Sequence, residues 1–198
     1  EDLLAAEIRG EAPRAVVERR GAGVVAAEVP ARDATAGEAP CPAFAQQVLP
    51  GVRVLCAPSV GAWADALSDA LIADLADHDG PWRLHGLGAQ THLSGRVPRR
   101  LALIVAALRA RLSRRQRRLV RSWGDDSGQP LVPDEALVQL RLEEPESGHL
   151  SICLPGTRAR MAFPPDPRSG GWLALPHDPR PPSRAFRKLW EAQRRFGA

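Results

Sequence analysis

The residue with the most distinctive chemistry is Lys188, the single lysine of a chain whose other basic residues are all arginine. An arginine stays protonated, whereas a lysine can lose its proton when it is desolvated or crowded by other charges. Lys188 lies in the stretch 182–192, where Ser183 is a good helix N-cap and Phe186 and Leu189 follow at helical spacing. We therefore expect a helix that presents one amine. The alternative is an ordinary amphipathic helix that happens to contain a lysine.

This stretch resembles the S-R-A-x-x-K-L-x-E segment that opens the catalytic domain of FtsJ/RrmJ-type RNA 2′-O-ribose methyltransferases. The matching residues are Ser183, Arg184, Ala185, Lys188, Leu189 and Glu191. The resemblance implies that Lys188 is catalytic, as the first member of the family's Lys-Asp-Lys-Glu set. It also implies that S-adenosylmethionine is the methyl donor, and we include Arg184 among the RNA-binding candidates.

The chemistry of such a reaction explains why an amine is needed. A ribose 2′-hydroxyl is a weak acid and a poor nucleophile, so it must be placed in line with the methyl group and its proton must be removed or masked. A lysine among carboxylates can orient the hydroxyl and stabilise negative charge, while a second amine acts as base. No glycine-rich strand, turn and helix for the methyl donor follows Lys188. We expect a fragment that is inactive alone and whose S-adenosylmethionine is bound by a missing catalytic domain.

A second informative stretch runs from Gln90 to Gly124, with ten arginines and no acidic residue. Leu101, Ile104 and Leu108 recur at helical spacing, which predicts a helix packed on a sheet. In its continuation, five arginines are predicted to share one face. They are Arg111, Arg114, Arg115, Arg118 and Arg121.

Such a dense row of guanidinium groups favours a surface for phosphate groups, and we interpret it as an RNA-binding surface. The alternative is a solvated helix whose arginines pair with acidic residues elsewhere, and a basic helix alone does not distinguish RNA from DNA or a membrane. The candidates for RNA binding are Arg99, Arg100, Arg109, Arg111, Arg114, Arg115, Arg117, Arg118, Arg121 and Arg184.

Composition limits the function classes. The net charge is +4, and the three cysteines, at 41, 56 and 153, match no metal-site spacing, so we predict no metal site and reduced thiols in a cytoplasmic protein. No signal peptide and no membrane-length apolar run is visible, so no membrane partner is expected.

Asp65 and Asp69 have acid/base spacing, but a solvated helix face is the simpler interpretation. Trp123 is either a core residue or a residue that stacks on a base.

The pattern of elements predicts an α+β protein. The N-terminal residues predict a helix at 2–9, ended by Gly10, and two strands. They are followed by a strand at 52–55, a helix at 60–77 capped by Ser59, and a strand at 82–87. The remaining predictions are the basic helix, a strand pair at 136–142 and 150–154 joined by a loop at 143–149, and a short strand at 158–163. A proline-rich linker is predicted at 164–182.

This order resembles the N-terminal part of RlmM-type enzymes, which 2′-O-methylate a cytidine of 23S ribosomal RNA. Phe44-Ala45-Gln46-Gln47 is similar to their F-A-R-Q segment, with Gln46 in place of arginine. The resemblance implies four parts: a ferredoxin-like segment lacking its first strand at 1–55, a THUMP-like RNA-binding domain at 56–163, the linker at 164–182, and the first helix of the FtsJ-like catalytic domain at 183–198. The rival hypothesis is a stand-alone RNA-binding or ribosome-associated adaptor without catalytic activity.

Overall fold

The computed structural model describes residues 2–11, 13–21, 24–28, 47–88, 99–125 and 131–159. They form a mixed α and β protein with a two-stranded sheet and a five-stranded mixed sheet. The elements, in chain order, are α1 (Asp2–Glu11), β1 (Val16–Gly21), β2 (Val24–Glu28), β3 (Arg53–Cys56), α2 (Val60–Asp74), β4 (Trp82–Gly88), α3 (Arg99–Arg115), α4 (Arg117–Arg121), β5 (Trp123–Gly124), β6 (Ala136–Glu144), β7 (Ser147–Cys153) and α5 (Pro155–Arg158).

The small sheet is the antiparallel hairpin that the N-terminal sequence predicts. Val17 pairs with Ala27, and Arg19 pairs with Val25. Helix α1 precedes this hairpin and continues through Gly10 to Glu11, so Gly10 does not end the helix as we expected.

The larger sheet has the strand order β3-β7-β6-β4-β5. Strand β6 lies at its centre, antiparallel to β7 and parallel to β4, and seven of its nine residues are buried. A parallel pair needs a crossover between its strands. Helices α3 and α4 and the short strand β5, which is parallel to β4, supply the crossover from β4 to β6. Strand β3 lies at one edge and β5 at the other.

Helices α2 and α3 share one core with the larger sheet. Trp63, Leu67 and Leu71 of α2 are at most 1% exposed, as their spacing predicts, and they pack in the same cluster as the buried stripe of α3. Each fully buried side chain of this size contributes roughly 1.5–3 kcal/mol to folding. Ser59 begins α2 as predicted, with its Oγ accepting a hydrogen bond from the Ala62 amide at 3.1 Å.

Close approach of α3 to the sheet depends on a glycine in β4. A Cβ placed on Gly86 would lie 2.8 Å from Leu101 Cδ2, closer than carbon atoms normally approach each other. The absence of a side chain at Gly86 therefore lets Leu101 pack directly on the strand.

The hairpin of β6 and β7 is longer than predicted. The stretch 143–149, which we expected to be a loop, instead extends both strands and leaves a turn at residues 145–146. Its polar side chains are accommodated because Glu143 accepts a hydrogen bond from Arg141 at 3.0 Å and lies 3.4 Å from His149 on β7. Gly148 is required here, since a Cβ would collide with the carbonyl oxygen of Arg141.

Two further differences concern the ends of predicted segments. Strand β3 pairs with β7, so 53–55, which we grouped with the N-terminal segment, belong to the larger sheet. Arg158 is the last residue of the helical turn α5 and not the start of a strand. Pro155 at the first helical position favours that turn because its fixed φ angle suits helix initiation.

Several predictions lie outside the described residues. They are the remainder of the predicted strand at 160–163, the linker at 164–182 and the helix at 183–198, together with Lys188 and Arg184.

Candidate nucleic-acid interface

Helices α3 and α4 carry the candidate arginines in the described part of the chain. Leu101, Ile104, Leu108 and Leu112 hold α3 on the core, and Leu119 does the same for α4. These buried residues recur every three or four positions. The arginines between them therefore project either toward a neighbouring element or into solvent.

Gln116 separates the two helices. Its backbone (φ −151°, ψ 79°) is not helical, so α3 ends at Arg115 and α4 begins at Arg117. The expectation that five arginines share one face of a continuous helix is therefore wrong, and they divide into two groups.

The first group is paired with α2. Arg111 forms a bidentate ion pair with Asp65, with N–O distances of 2.8 and 2.9 Å. One helical turn later, Arg115 donates to Asp69 at 2.5 Å and to Ser68 Oγ at 3.3 Å. Asp65 and Asp69 are thus the acidic partners of two arginines, on an α2 face that is exposed to solvent as we interpreted it and also contacts α3.

Arg118 is bound to the end of α2. Its guanidinium donates to the carbonyl oxygens of Leu75 (2.8 Å), Ala76 (3.2 Å) and His78 (2.5 Å), and to Asp79 Oδ1 at 3.0 Å. The last carbonyls of a helix lack intrahelical partners and carry partial negative charge, so a cation placed there stabilises the helix. Arg118 therefore has a structural role at this position.

Arg100 contacts the turn between β6 and β7. Its Nε donates to the carbonyl oxygen of Pro145 at 2.8 Å, and its Nη2 lies 3.9 Å from Glu146. This contact ties the first turn of α3 to the hairpin.

A second group of arginines faces solvent. Arg99, Arg114, Arg117 and Arg121 are exposed, and among the described residues none of them has a carboxylate within 4.0 Å or a side-chain hydrogen bond. We call these four residues the free arginines. Their positive charges are available to an external anion.

Arg109 is exposed but packs on an aromatic ring. Its guanidinium carbon lies 5.2 Å from the ring centroid of Trp123, a cation–π distance. Trp123 in turn packs against the fully buried Trp82, with ring centroids 4.6 Å apart and ring planes tilted by 32°.

Sequence reasoning missed a group of buried polar residues on β4 and β6. Arg83 forms a bidentate pair with Glu135 at 2.9 and 3.0 Å, and both side chains are less than 10% exposed. Gln139 is fully buried, and neither of its amide atoms has a hydrogen-bond partner within the described ranges. The alternation of polar with apolar residues along these strands is typical of a sheet with one solvated face, so no local signal in the sequence indicates that the polar residues are buried.

The two described cysteines have different environments. Cys56 is exposed on the edge strand β3, and Cys153 is buried at the end of β7. Burial raises the pKa of the Cys153 thiol, and the guanidinium of Arg158 acts in the opposite direction.

Lys188 and Arg184 lie outside the described residues, so their position relative to the free arginines is not defined. Within the described ranges, no helix is both long and apolar enough to cross a lipid bilayer. No protein-family description matches the chain, and no characterised protein is significantly similar to it in sequence.

Proposed function

We propose that this chain is the RNA-binding portion of an S-adenosylmethionine-dependent enzyme that 2′-O-methylates a cytidine ribose of ribosomal RNA. The proposal combines the resemblance of the sequence to RlmM-type methyltransferases with the exposed charge on α3 and α4. In this interpretation the two-stranded and five-stranded sheets belong to a ferredoxin-like segment and a THUMP-like domain. An enzyme that modifies ribosomal RNA is expected to work in the cytoplasm.

The single observation that carries the proposal is the set of free arginines: Arg99, Arg114, Arg117 and Arg121. Arg117 and Arg121 lie one helical turn apart on α4 and repel each other, and without carboxylate neighbours among the described residues such arginines favour binding of an anion. A phosphate backbone supplies anions at regular spacing, and its binding releases condensed counterions. The other candidates on α3 and α4 contribute less, because their guanidinium groups already contact protein atoms, including the Trp123 ring.

The catalytic part of the proposal depends on Lys188. Its amine would orient the target 2′-hydroxyl and stabilise the negative charge that develops on that oxygen. S-adenosylmethionine would supply the methyl group when bound to a following domain. Among the described residues no glycine-rich turn leads from a strand into a helix, so we assign none of them to this cofactor.

Methyl transfer by the intact gene product tests this function. The protein that contains this chain, supplied with S-adenosylmethionine labelled on the methyl group, is expected to label ribosomal RNA on a ribose. Lys188→Met is expected to reduce the rate by at least about 100-fold, since general acid–base groups contribute roughly 10²–10⁴-fold. Lys188→Arg should not rescue the reaction if the amine must lose or share a proton.

The same assay separates the two hypotheses. RNA binding without methyl transfer by the intact protein would favour the stand-alone adaptor. Methyl transfer that is unchanged by Lys188→Met would contradict the assignment of Lys188.

A further inference from the structure

Trp123 has an unusual position for a tryptophan. It lies in the two-residue edge strand β5 and is only half-buried, whereas its neighbour Trp82 is completely buried. Trp82 is fixed in place, because its indole Nε1 donates to the carbonyl oxygen of Leu119 at 2.8 Å. Trp123 therefore packs on a fixed ring and, as a residue, remains partly exposed at the edge of the sheet.

Arg109 completes this feature from α3. Its guanidinium is exposed and lies 5.2 Å from the Trp123 ring, and no carboxylate in the described ranges lies within 4.0 Å of it. Guanidinium planes and indole rings are both surfaces on which unpaired RNA bases stack. A base can add to this pair by stacking on the exposed guanidinium or by taking its place over the indole.

Two of the free arginines lie close to Trp123 along the chain. Helix α4 carries Arg117 and Arg121, and it ends two residues before Trp123. The exposed Asp125 follows Trp123 by two residues and is the nearest acidic residue along the chain. Its negative charge disfavours a phosphate beyond Trp123. A backbone that follows the free arginines would therefore present a base, and not a phosphate, at this point.

We propose that Arg109 and Trp123 form a stacking subsite for an unpaired base of the bound RNA, next to the end of α4, the helix that carries Arg117 and Arg121. This inference rests on the proposed function, because it needs an RNA backbone on α3 and α4. It adds that the RNA is single-stranded where it passes β5.

An abasic oligonucleotide tests the subsite, since it keeps the phosphates and removes the stacking partner. The probe is a short fluorescent single-stranded RNA, compared with a strand of the same length in which every base is missing. We expect the unaltered chain to bind the intact strand about 10-fold more tightly, a typical effect of stacking one base. Trp123→Leu should bring the intact strand to the affinity of the abasic strand, and should leave abasic binding unchanged.

Three further variants keep the test decisive if Trp123→Leu does not fold. Arg109→Gln changes an exposed side chain without hydrogen bonds, and it should reduce the ratio of intact to abasic affinity. Arg99→Gln removes one charge from the same helix, and it should weaken both strands equally. Trp123→Phe keeps an aromatic ring and should retain most of the ratio.

The outcomes separate this inference from the proposed function. Salt-dependent binding of both strands with equal affinity would overturn the stacking subsite and leave the RNA-binding function intact. An unchanged ratio in folded Trp123→Leu or in Arg109→Gln would also overturn it. Absence of binding to either strand would overturn both proposals.

Discussion

Adjacent arginines in α3 and α4 differ in what their N–H groups already bind. Arg118 donates to three carbonyl oxygens and to Asp79, whereas Arg117 has no side-chain partner among the described residues. A guanidinium has five N–H donors and no acceptor, so an arginine that is already bonded to carbonyls has little left for a phosphate. Residue type alone therefore does not identify a phosphate-binding arginine, and its local partners decide the role.

Cys153 is a buried thiol at the end of β7. Burial raises the pKa of this thiol, so the folded protein keeps the proton at a pH where the unfolded chain has lost it. The stabilising effect is complete below the ordinary thiol pKa of about 8.5, and it is lost as the pH rises through the higher pKa of the folded state.

We therefore predict that the free energy of unfolding falls between about pH 7 and about pH 10, a range that brackets the ordinary thiol pKa. In Cys153→Ala the cavity lowers the free energy of unfolding by the same amount at every pH, and the variant has no thiol to titrate at this position. The difference in the free energy of unfolding between the two proteins should therefore shrink as the pH rises. Urea unfolding across this range measures both curves, and the lack of tyrosine simplifies the alkaline end. Parallel curves would show that Cys153 is not the titrating group.

Helices α2 and α3 are joined by charge as well as by apolar packing. Asp65 and Asp69 lie one turn apart on α2, and they meet Arg111 and Arg115, which lie one turn apart on α3. Each exposed pair of this kind contributes only about 0.2–1 kcal/mol, but the repeat fixes how the two helices align. Arg118 then holds the C-terminal end of α2.

Arg117 and Arg118 form a matched pair for testing this structural role. Arg118→Gln should lower the free energy of unfolding by about 1–3 kcal/mol, because several carbonyls and Asp79 lose a charged donor. Arg117→Gln removes the same charge from an exposed side chain, and it should change stability by no more than about 0.5 kcal/mol. Urea denaturation compares them directly, and equal effects would argue against the capping role of Arg118.

Most elements follow from periodicity and from local capping. Ser59 and the stripe that includes Trp63 and Leu67 define α2, and the apolar run on either side of Val138 defines the central strand. The errors arise where long-range contacts override local signals. The polar stretch 143–149 is strand because β6 and β7 continue to pair through it, with Glu143 3.4 Å from His149 on the opposite strand. Arg158 ends a helical turn, and its guanidinium donates to the carbonyl oxygens of Val132, Pro133 and Glu135.

Only part of the candidate interface could be predicted from the sequence, because long-range contacts decide which arginines are paired. The arginine-rich, acid-free stretch is visible in the sequence, but the acidic partners Asp65 and Asp69 are more than 40 residues away. Which arginines face α2 depends on how the helices pack and on the break at Gln116. Neither feature leaves a local sequence signal.

Across the whole protein, a modest net charge is distributed unevenly. The chain carries only +4, yet no acidic residue occurs between Gln90 and Gly124. Carboxylates from α2 and from the turn that follows it neutralise Arg111, Arg115 and Arg118, and the free arginines remain on the solvent side. Within the described residues, α3 and α4 therefore carry exposed positive charge that no neighbouring carboxylate neutralises, and its effect on binding is larger than the total charge indicates.

The most direct test of this account is the salt dependence of RNA affinity in two variants that lose the same charge. Arg117→Gln/Arg121→Gln removes two free arginines, and Arg9→Gln/Arg53→Gln removes two exposed arginines from other elements, one of them paired with Asp74. Fluorescence anisotropy with a labelled single-stranded RNA, at about 50–200 mM salt, gives the slope of log affinity against log salt.

Four free arginines predict a slope of about −3 for the unaltered chain, since each neutralised phosphate of a single strand contributes about −0.7. The Arg117/Arg121 variant should bring the slope to about −1.4, and the Arg9/Arg53 variant should leave it unchanged. A slope near zero, or equal losses in the two variants, would contradict the assignment of α3 and α4 as the RNA-binding surface.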